Sequence, residues 1–332
     1  MNKKALWLVI VLAIIAIATI WFVNNKPKQK NVKTISIVSI VTIDPITQLE
    51  EGFKKRILES EFAISDSIVF TYDNAQGNAS LQNQIVDKII RNKPDLVYVL
   101  GTPIAIAIQK RDSSLIIVQG TVTDPIEAGL ALSWDGSGKN YAATTDLPPI
   151  DKQITLIKKL IPNIKSLGIV YNTGEVNSVA VVRRIRKYIE DNNLDIKLQE
   201  RPVANTSEVS TATESLKGRV EAIYMPPDNT VHAAIQVVCK IVTDNKIPLF
   251  TTVESSLKDG AFAALSLDYF KLGEESADIA LMILEGKAKA GEIPIKPTDD
   301  PIIIINESVA NKLNIDLSGV REQSNLKIIN PK

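Results

Sequence analysis

A strand–turn–helix phrase that occurs twice constrains the fold of this chain more than any other feature. Pro94 to Ile108 reads PDLVYVLGTPIAIAI, and Val220 to Ile235 reads VEAIYMPPDNTVHAAI. Each has a short apolar run, a sharp turn and the start of a helix. An apolar strand that leads straight into a helix is the building unit of a parallel sheet, because parallel neighbours need a crossover between them. One phrase in corresponding places of two halves, so far apart in the chain, implies two similar domains rather than a solenoid.

The rest of the chain keeps the same alternation. Thr34 to Val41 (TISIVSIV), Ile68 to Tyr72, Leu96 to Leu100 and Leu115 to Gln119 read as strands. Helical spacing follows at Ile46 to Glu61, from Ser80 to Arg91 and from Pro103. The pattern restarts with strands at Leu167 to Tyr171, Ile196 to Val203, Ala222 to Met225 and Pro248 to Thr252. Helices are expected at Asn177 to Asp191, Ser207 to Leu216 and Asn229 to Thr243. The expected class is α/β, with two doubly wound parallel-sheet lobes. Ala263 to Ser266 and Pro301 to Ile305 read as further strands, Leu272 to Leu284 and Glu307 to Leu313 as helices. Such late elements imply that the chain recrosses between lobes, near Asp146, Asp268 and Pro294 to Pro297, which makes a hinge. The expected division is 34–145 plus 267–295 for one lobe and 146–266 plus 296–320 for the other, with 321–332 as a tail.

Residues 1–33 stand apart. Asn2-Lys3-Lys4 precedes an apolar run from Ala5 to Val23, close to the roughly 20 residues a membrane-crossing helix needs. The positive flank keeps the N-terminus in the cytoplasm. Trp21-Phe22-Val23 suits a membrane interface better than a cleavage site, so an uncleaved anchor is expected, with a cleaved export signal as the alternative. Either places the remainder outside the cytoplasmic membrane. No Cys in this region allows a lipoprotein anchor. Asn24 to Lys33 reads as a tether.

In open α/β sheets, ligands bind beyond the C-terminal ends of the strands. The residues at those positions are Thr42 and Asp44, Thr102 and Pro103, Thr121, Thr123 and Asp124 in the first half. In the second half they are Asn172 to Ser178, Pro227 to Thr230 and Thr252 to Ser255, with Asn177, Ser178, Asp228, Asn229, Thr230, Glu254 and Ser255 as the site candidates. Thr102 reads as an N-cap with Pro103 opening the helix, and a helix N-terminus can hold a carboxylate. Asp228 opens the matching helix and brings a negative side chain. Both also fit ordinary helix caps. Facing each other, they suit a zwitterion such as an amino acid.

Lys and Arg together number 38 and equal Asp and Glu, so there is no overall basic excess to suit nucleic acid. A single Cys, Cys239, allows no disulfide within the chain. Gly136 to Asn140 lacks the residues of a phosphate loop. His232, the one His, reads as a packing or surface residue, Asp146 as a turn residue, and Arg183 to Lys187 as a solvated helix face or a partner surface. No metal-ligand spacing, nucleophile elbow or cofactor motif is apparent.

The phrases NAQGN, GTPIAIA, TVTDPIEAGL, DLPPIDKQITLIKKLIPNIKSLGIVYNTGEVNSVA, PPDNTV and LDYFKLGEESADIALMILEGK, in this order, resemble ABC-transporter substrate-binding proteins of the tryptophan/tyrosine-binding type. The resemblance runs from about Lys33 to Ile305. It implies the type I periplasmic-binding-protein fold and a clamp that delivers a small solute to a permease driven by an ATPase. It also implies that Thr102 and the N–H groups after it bind the ligand carboxylate. Asn177, Ser178, Asp228, Asn229, Thr123 and Asp124 fall on the other pocket loops. Two loops depart from the family pattern: Asp44 to Gln48 after the first strand, and Val253 to Ser256. The leading expectation is the solute-binding component of an importer, binding an amino-acid-like ligand; a membrane-anchored sensing module is the alternative.

Overall fold

The computed structural model describes residues 32–65, 67–296 and 301–331. The expected membrane anchor at 5–23 lies outside them. Among the described residues no helix is long and apolar enough to cross a membrane.

The first lobe is built from β1 (Val32–Ser39), α1 (Asp44–Leu58), α2 (Glu61–Ser65), β2 (Ser67–Asn74), α3 (Ala79–Asn92), β3 (Leu96–Leu100), α4 (Thr102–Arg111), β4 (Ile117–Val122) and β5 (Tyr141–Thr145). Its strands pair in the order β2-β1-β3-β4-β5, all parallel. Every residue of β3 and β5 is buried, as expected of strands covered on both faces.

The second lobe follows with α5 (Ile150–Leu160), β6 (Ser166–Asn172), α6 (Val176–Asp191), β7 (Lys197–Val203), α7 (Val209–Glu214), β8 (Ala222–Met225), α8 (Asn229–Ala233), α9 (Ile235–Asp244), β9 (Leu249–Thr251), α10 (Ser256–Asp259) and β10 (Ala263–Ser266). The chain then makes α11 (Tyr269–Leu284), which packs back on the first lobe through Tyr269, Leu272 and Ala277. It returns to the second sheet as β11 (Ile302–Asn306), followed by α12 (Glu307–Leu313) and β12 (Leu326–Ile329). Among the described residues this sheet runs β12-β11-β10-β9-β8-β6-β7.

Two readings of the sequence need correction. The second sheet is not wholly parallel, since β10 and β11 pair antiparallel, Ala263 opposite Ile305. The chain leaves β10 at Ser266, forms α11 on the first lobe and re-enters the sheet at the same end, with Ile302 opposite Ser266, so β11 runs back against β10. The helix expected from Asn229 to Thr243 is broken at Ala234 into α8 and α9. The expected tail also contains β12, an edge strand beside β11.

Helix α1 shows why these segments fold as they do. Ile46, Leu49, Phe53 and Ile57 recur at helical spacing and are buried. Phe53 stacks on Tyr98 of β3 with ring centroids 3.6 Å apart. The far side of α1 meets α11 at Gly52 and Gly273. A Cβ on Gly52 would lie 2.1 Å from Phe270 O, and one on Gly273 2.3 Å from Leu49 O, so the helices touch backbone to backbone. This contact holds the starts of both helices beside the ends of β1 and β3.

Candidate ligand-binding site

Each sheet has a switch point where the strand order reverses, between β1 and β3 in the first and between β6 and β8 in the second. Ligands of open α/β sheets collect at such points. Here the two face each other across a cavity with about 530 Å³ of unfilled space, part of it open to solvent. The first lobe contributes the start of α1, the β3–α4 turn, Thr121 near the end of β4 and Thr123 just after it. The second contributes Asn177, and Pro227 to Asn229 with His232. Asp146 and Tyr269, at two of the crossings between lobes, close its floor.

The β3–α4 turn differs by one residue from the expected register. Gly101, not Thr102, is the N-cap, at φ +128°, and Thr102 and Pro103 occupy the first helical positions. A Cβ on Gly101 would stand 2.6 Å from Ile40 Cγ2. Only glycine tolerates both that backbone and that approach. The Thr102 hydroxyl is held within its own lobe, accepting from Gln119 Nε2 at 3.1 Å. Gln119 in turn accepts from Tyr141 at 2.7 Å, so the turn rests on a buried polar chain. What α4 presents to the cavity is therefore its first-turn N–H groups and the positive end of its dipole.

Asp228 is bound by its own lobe. Its Oδ2 accepts from Asn172 N at 2.6 Å and Ser178 Oγ at 2.6 Å, and its Oδ1 caps α8 through Val231 N at 2.8 Å. Burial and then the neighbouring Glu175 charge push its carboxyl well above the usual carboxylate range. Glu175, which the sequence did not single out, is 4% exposed and saturated. It accepts from Asn229 N and Nδ2 at 3.0 and 2.6 Å, and from Thr230 N and Oγ1 at 2.9 and 2.7 Å.

Two acceptors in the cavity are less committed. Asn177 Oδ1 is buried without a hydrogen-bond partner, while its Nδ2 donates to Pro227 O at 3.0 Å. Asp146, read from the sequence as a turn residue, is a buried carboxylate that accepts from Thr123 Oγ1 at 2.9 Å. Burial raises it to about 6, partly offset by the hydrogen bonds from Thr123 and Tyr269. Among the described residues no cation pairs with it.

The other expected site residues fall elsewhere. Thr42 accepts from Asn74 Nδ2, and Asp44 from Gln48 Nε2, both at the exposed rim. Pro103 and Thr230 face a second opening of the cleft, beside Gln76 and Gln82. Ser178 is buried against Asp228. Asp124 caps its own loop and pairs with Arg184 of the opposite lobe. Glu254 turns outward to Lys327 at 2.7 Å, and Ser255 precedes α10; Val253 of that loop is the residue that meets the cavity. Arg183 and Arg184 are not a plain solvated face, since they pair with Glu127 and Asp124 across the cleft. His232 is 5% exposed on the cavity wall. No local signal marks Ile46, Leu49 or Tyr269 as pocket residues. Their side chains reach the cavity only because α1 and α11 pack together.

The profile of the family described as ABC transporter substrate binding protein matches residues 34–321. A tyrosine-binding protein from Clostridioides difficile is 35% identical over 292 residues, spanning 88% of this chain and 84% of that protein. The crystal structure of an ABC domain in complex with L-Trp from Streptococcus pneumoniae superposes with a TM-score of 0.83 at 24% identity, over 90% of this chain and 100% of that one. The ligand-free, open structure of a substrate-binding protein with adhesive properties from Clostridium difficile superposes with a TM-score of 0.67 at 30% identity, over the same shares of 90% and 100%. The two α/β lobes form a type I periplasmic-binding-protein-like fold, and the chain belongs to the ABC transporter substrate-binding protein family.

Proposed function

We propose that this protein is the extracytoplasmic receptor of an ABC importer for an α-amino acid with a large, mainly apolar side chain. The first-turn N–H groups of α4 take the carboxylate. Asp146 and the unpartnered Asn177 Oδ1 take the ammonium group. This departs from the sequence expectation: Asp146 stands in for Asp228, which shapes the site from behind, since its oxygens already serve the second lobe. Ile46, Leu49 and Val253 offer an apolar wall for the side chain. The observation that carries the reading is the buried Asp146 carboxylate, facing the cavity without a cation of its own. A buried, uncompensated carboxylate is costly, and a ligand cation relieves that cost.

The relative named as a tyrosine-binding protein favours an aromatic ligand. Ligand touching both lobes favours the closed form, which is the form a permease and its ATPase would receive. Residues 5–23 would anchor the receptor to the outer face of the membrane. The site is one for binding rather than for turnover.

Residues 34–332, freed of the anchor, should gain thermal stability from one or a few amino acids in a full panel. At a ligand concentration 100 times Kd the gain is about 2.7 kcal/mol. A panel of amino acids and small metabolites in which no amino acid shifts the melting temperature would end the assignment.

A further inference from the structure

His232 is the one histidine of the chain, and its setting is unusual for a residue that only fills a core. It is the fourth residue of α8, whose N-cap is Asp228, and it lines the same cavity as Asp228 and Asn229. Its Nε2 lies 3.4 Å from Ser256 Oγ at the start of α10. It shares the cavity lining with Ile43, Pro45 and Ile46 at the head of α1 in the opposite lobe, where the Asp44 charge also acts on it. Burial lowers its pKa to about 4, outweighing the Asp44 charge, so the imidazole is neutral at physiological pH. A neutral imidazole carries one N–H donor and one acceptor nitrogen. With Nε2 engaged by Ser256, the ring offers a ligand its other nitrogen, donor or acceptor according to the tautomer, in a cavity that also presents Ile43, Pro45 and Ile46.

We infer that His232 is a specificity-determining residue that hydrogen-bonds a hydroxyl or N–H carried on the ligand's aromatic ring. This rests on the amino-acid reading above. A purely apolar wall gains little from distinguishing ring substituents, whereas a buried polar group left unpaired by the wrong ligand penalises it. The site then prefers a phenol or an indole to a plain phenyl ring.

The test is calorimetric titration of the full chain in detergent with L-tyrosine, L-tryptophan, L-phenylalanine and L-leucine. Wild type should bind tyrosine or tryptophan at least about tenfold more tightly than phenylalanine. H232L should lose that preference by weakening the preferred ligand about tenfold, with phenylalanine within about twofold of wild type. H232Q, which keeps a donor and an acceptor, should recover part of it. Wild type binding phenylalanine as tightly as tyrosine and tryptophan overturns the inference and leaves the amino-acid reading standing, and this is read without any variant. H232L keeping the preference, or weakening all ligands alike, also overturns it. Wild type binding none of the four overturns it together with the aromatic reading of the site.

Discussion

Arg184 of α6, in the second lobe, donates to Asp124 Oδ2 on the loop after β4 of the first. The Asp124 side chain is 1% exposed and that of Arg184 42%, so a buried carboxylate receives a guanidinium from the rim. Asp124 Oδ1 meanwhile accepts from Ile126 N at 3.1 Å and Glu127 N at 3.0 Å. Arg183 beside it pairs with Glu127. The bond therefore joins two surfaces that are each already built, and it exists only when the lobes are together.

Replacing Arg184 by Gln should loosen closure without harming either lobe, because Asp124 keeps its two backbone donors. A charge-assisted bond is worth about 1.5–3 kcal/mol, reduced toward about 1 by the exposure of the arginine. The closed population, and ligand affinity with it, should fall about fivefold. Small-angle scattering and titration at two salt concentrations measure this. An R184Q protein with wild-type affinity and radius of gyration in both would show that the pair is incidental.

Asp146 gives the free protein a pH dependence of defined sign. Its folded pKa is raised to about 6 by burial, above its ordinary value of 3.8. The stabilising contribution of the protonated acid is full at low pH and is lost as pH rises from about 4 to about 6. The loss is on the order of 2–3 kcal/mol. Asp146→Asn keeps an acceptor for Thr123 and cannot ionise, so its melting temperature minus that of wild type should grow between pH 4 and 7. Ligand binding should show the converse, with wild-type affinity for an amino acid rising over this range and D146N binding weakly throughout. A melting difference that stays flat with pH would mean that Asp146 is not the strained carboxylate of the cavity.

Much of this architecture was readable because it rests on local pattern. The repeated strand–turn–helix phrase marks β3–α4 and β8–α8, and some of the positions at the strand ends, among them Thr102, Thr123, Asn177 and Asp228, line the cavity. What was not readable depends on distance in sequence. Asp228 looked like a ligand group because a capping aspartate and a ligand-binding one share the same local sequence. Only Asn172 and Ser178, fifty or more residues upstream, reveal its other partners. Glu175 fell inside the stretch 172–178 but was not picked out from it for the same reason, since its donors lie on α8. Asp146 looked like a turn residue, and its burial depends on two crossings that bring Tyr269 beside it. The arginines of α6 read as a solvated face because nothing in the helix says that a second lobe stands opposite.

The reassignment of Asp228 can be tested by stability. Asp228→Ala leaves Asn172 N–H, the Ser178 hydroxyl and the Val231 N–H without their acceptor in a buried corner. That should cost about 3 kcal/mol in urea unfolding, allowing for partial relaxation around the three donors. Asp228→Asn, which retains a carbonyl oxygen, should cost about 1 kcal/mol and keep most of the ligand affinity. A D228A protein that unfolds like wild type but fails to bind would restore Asp228 to the role of ligand group.

Gly101 fixes where the amide groups of α4 point, so a single methyl there should separate binding from folding. At φ +128° an alanine is strained, and its Cβ would press on Ile40 Cγ2 at 2.6 Å. The contact is with a side chain, and Ile40 ends the β1 side of the same switch point, so the strain should be relieved by displacing the turn rather than by unfolding the lobe. Gly101→Ala should destabilise by about 1–3 kcal/mol. Amino-acid affinity should drop at least about tenfold, because electrostatic contacts made by oriented N–H groups fail when the groups are displaced. Chemical unfolding and calorimetric titration on the same preparation supply both numbers. Affinity unchanged in a destabilised G101A protein would mean that the ligand carboxylate lies elsewhere than at the head of α4.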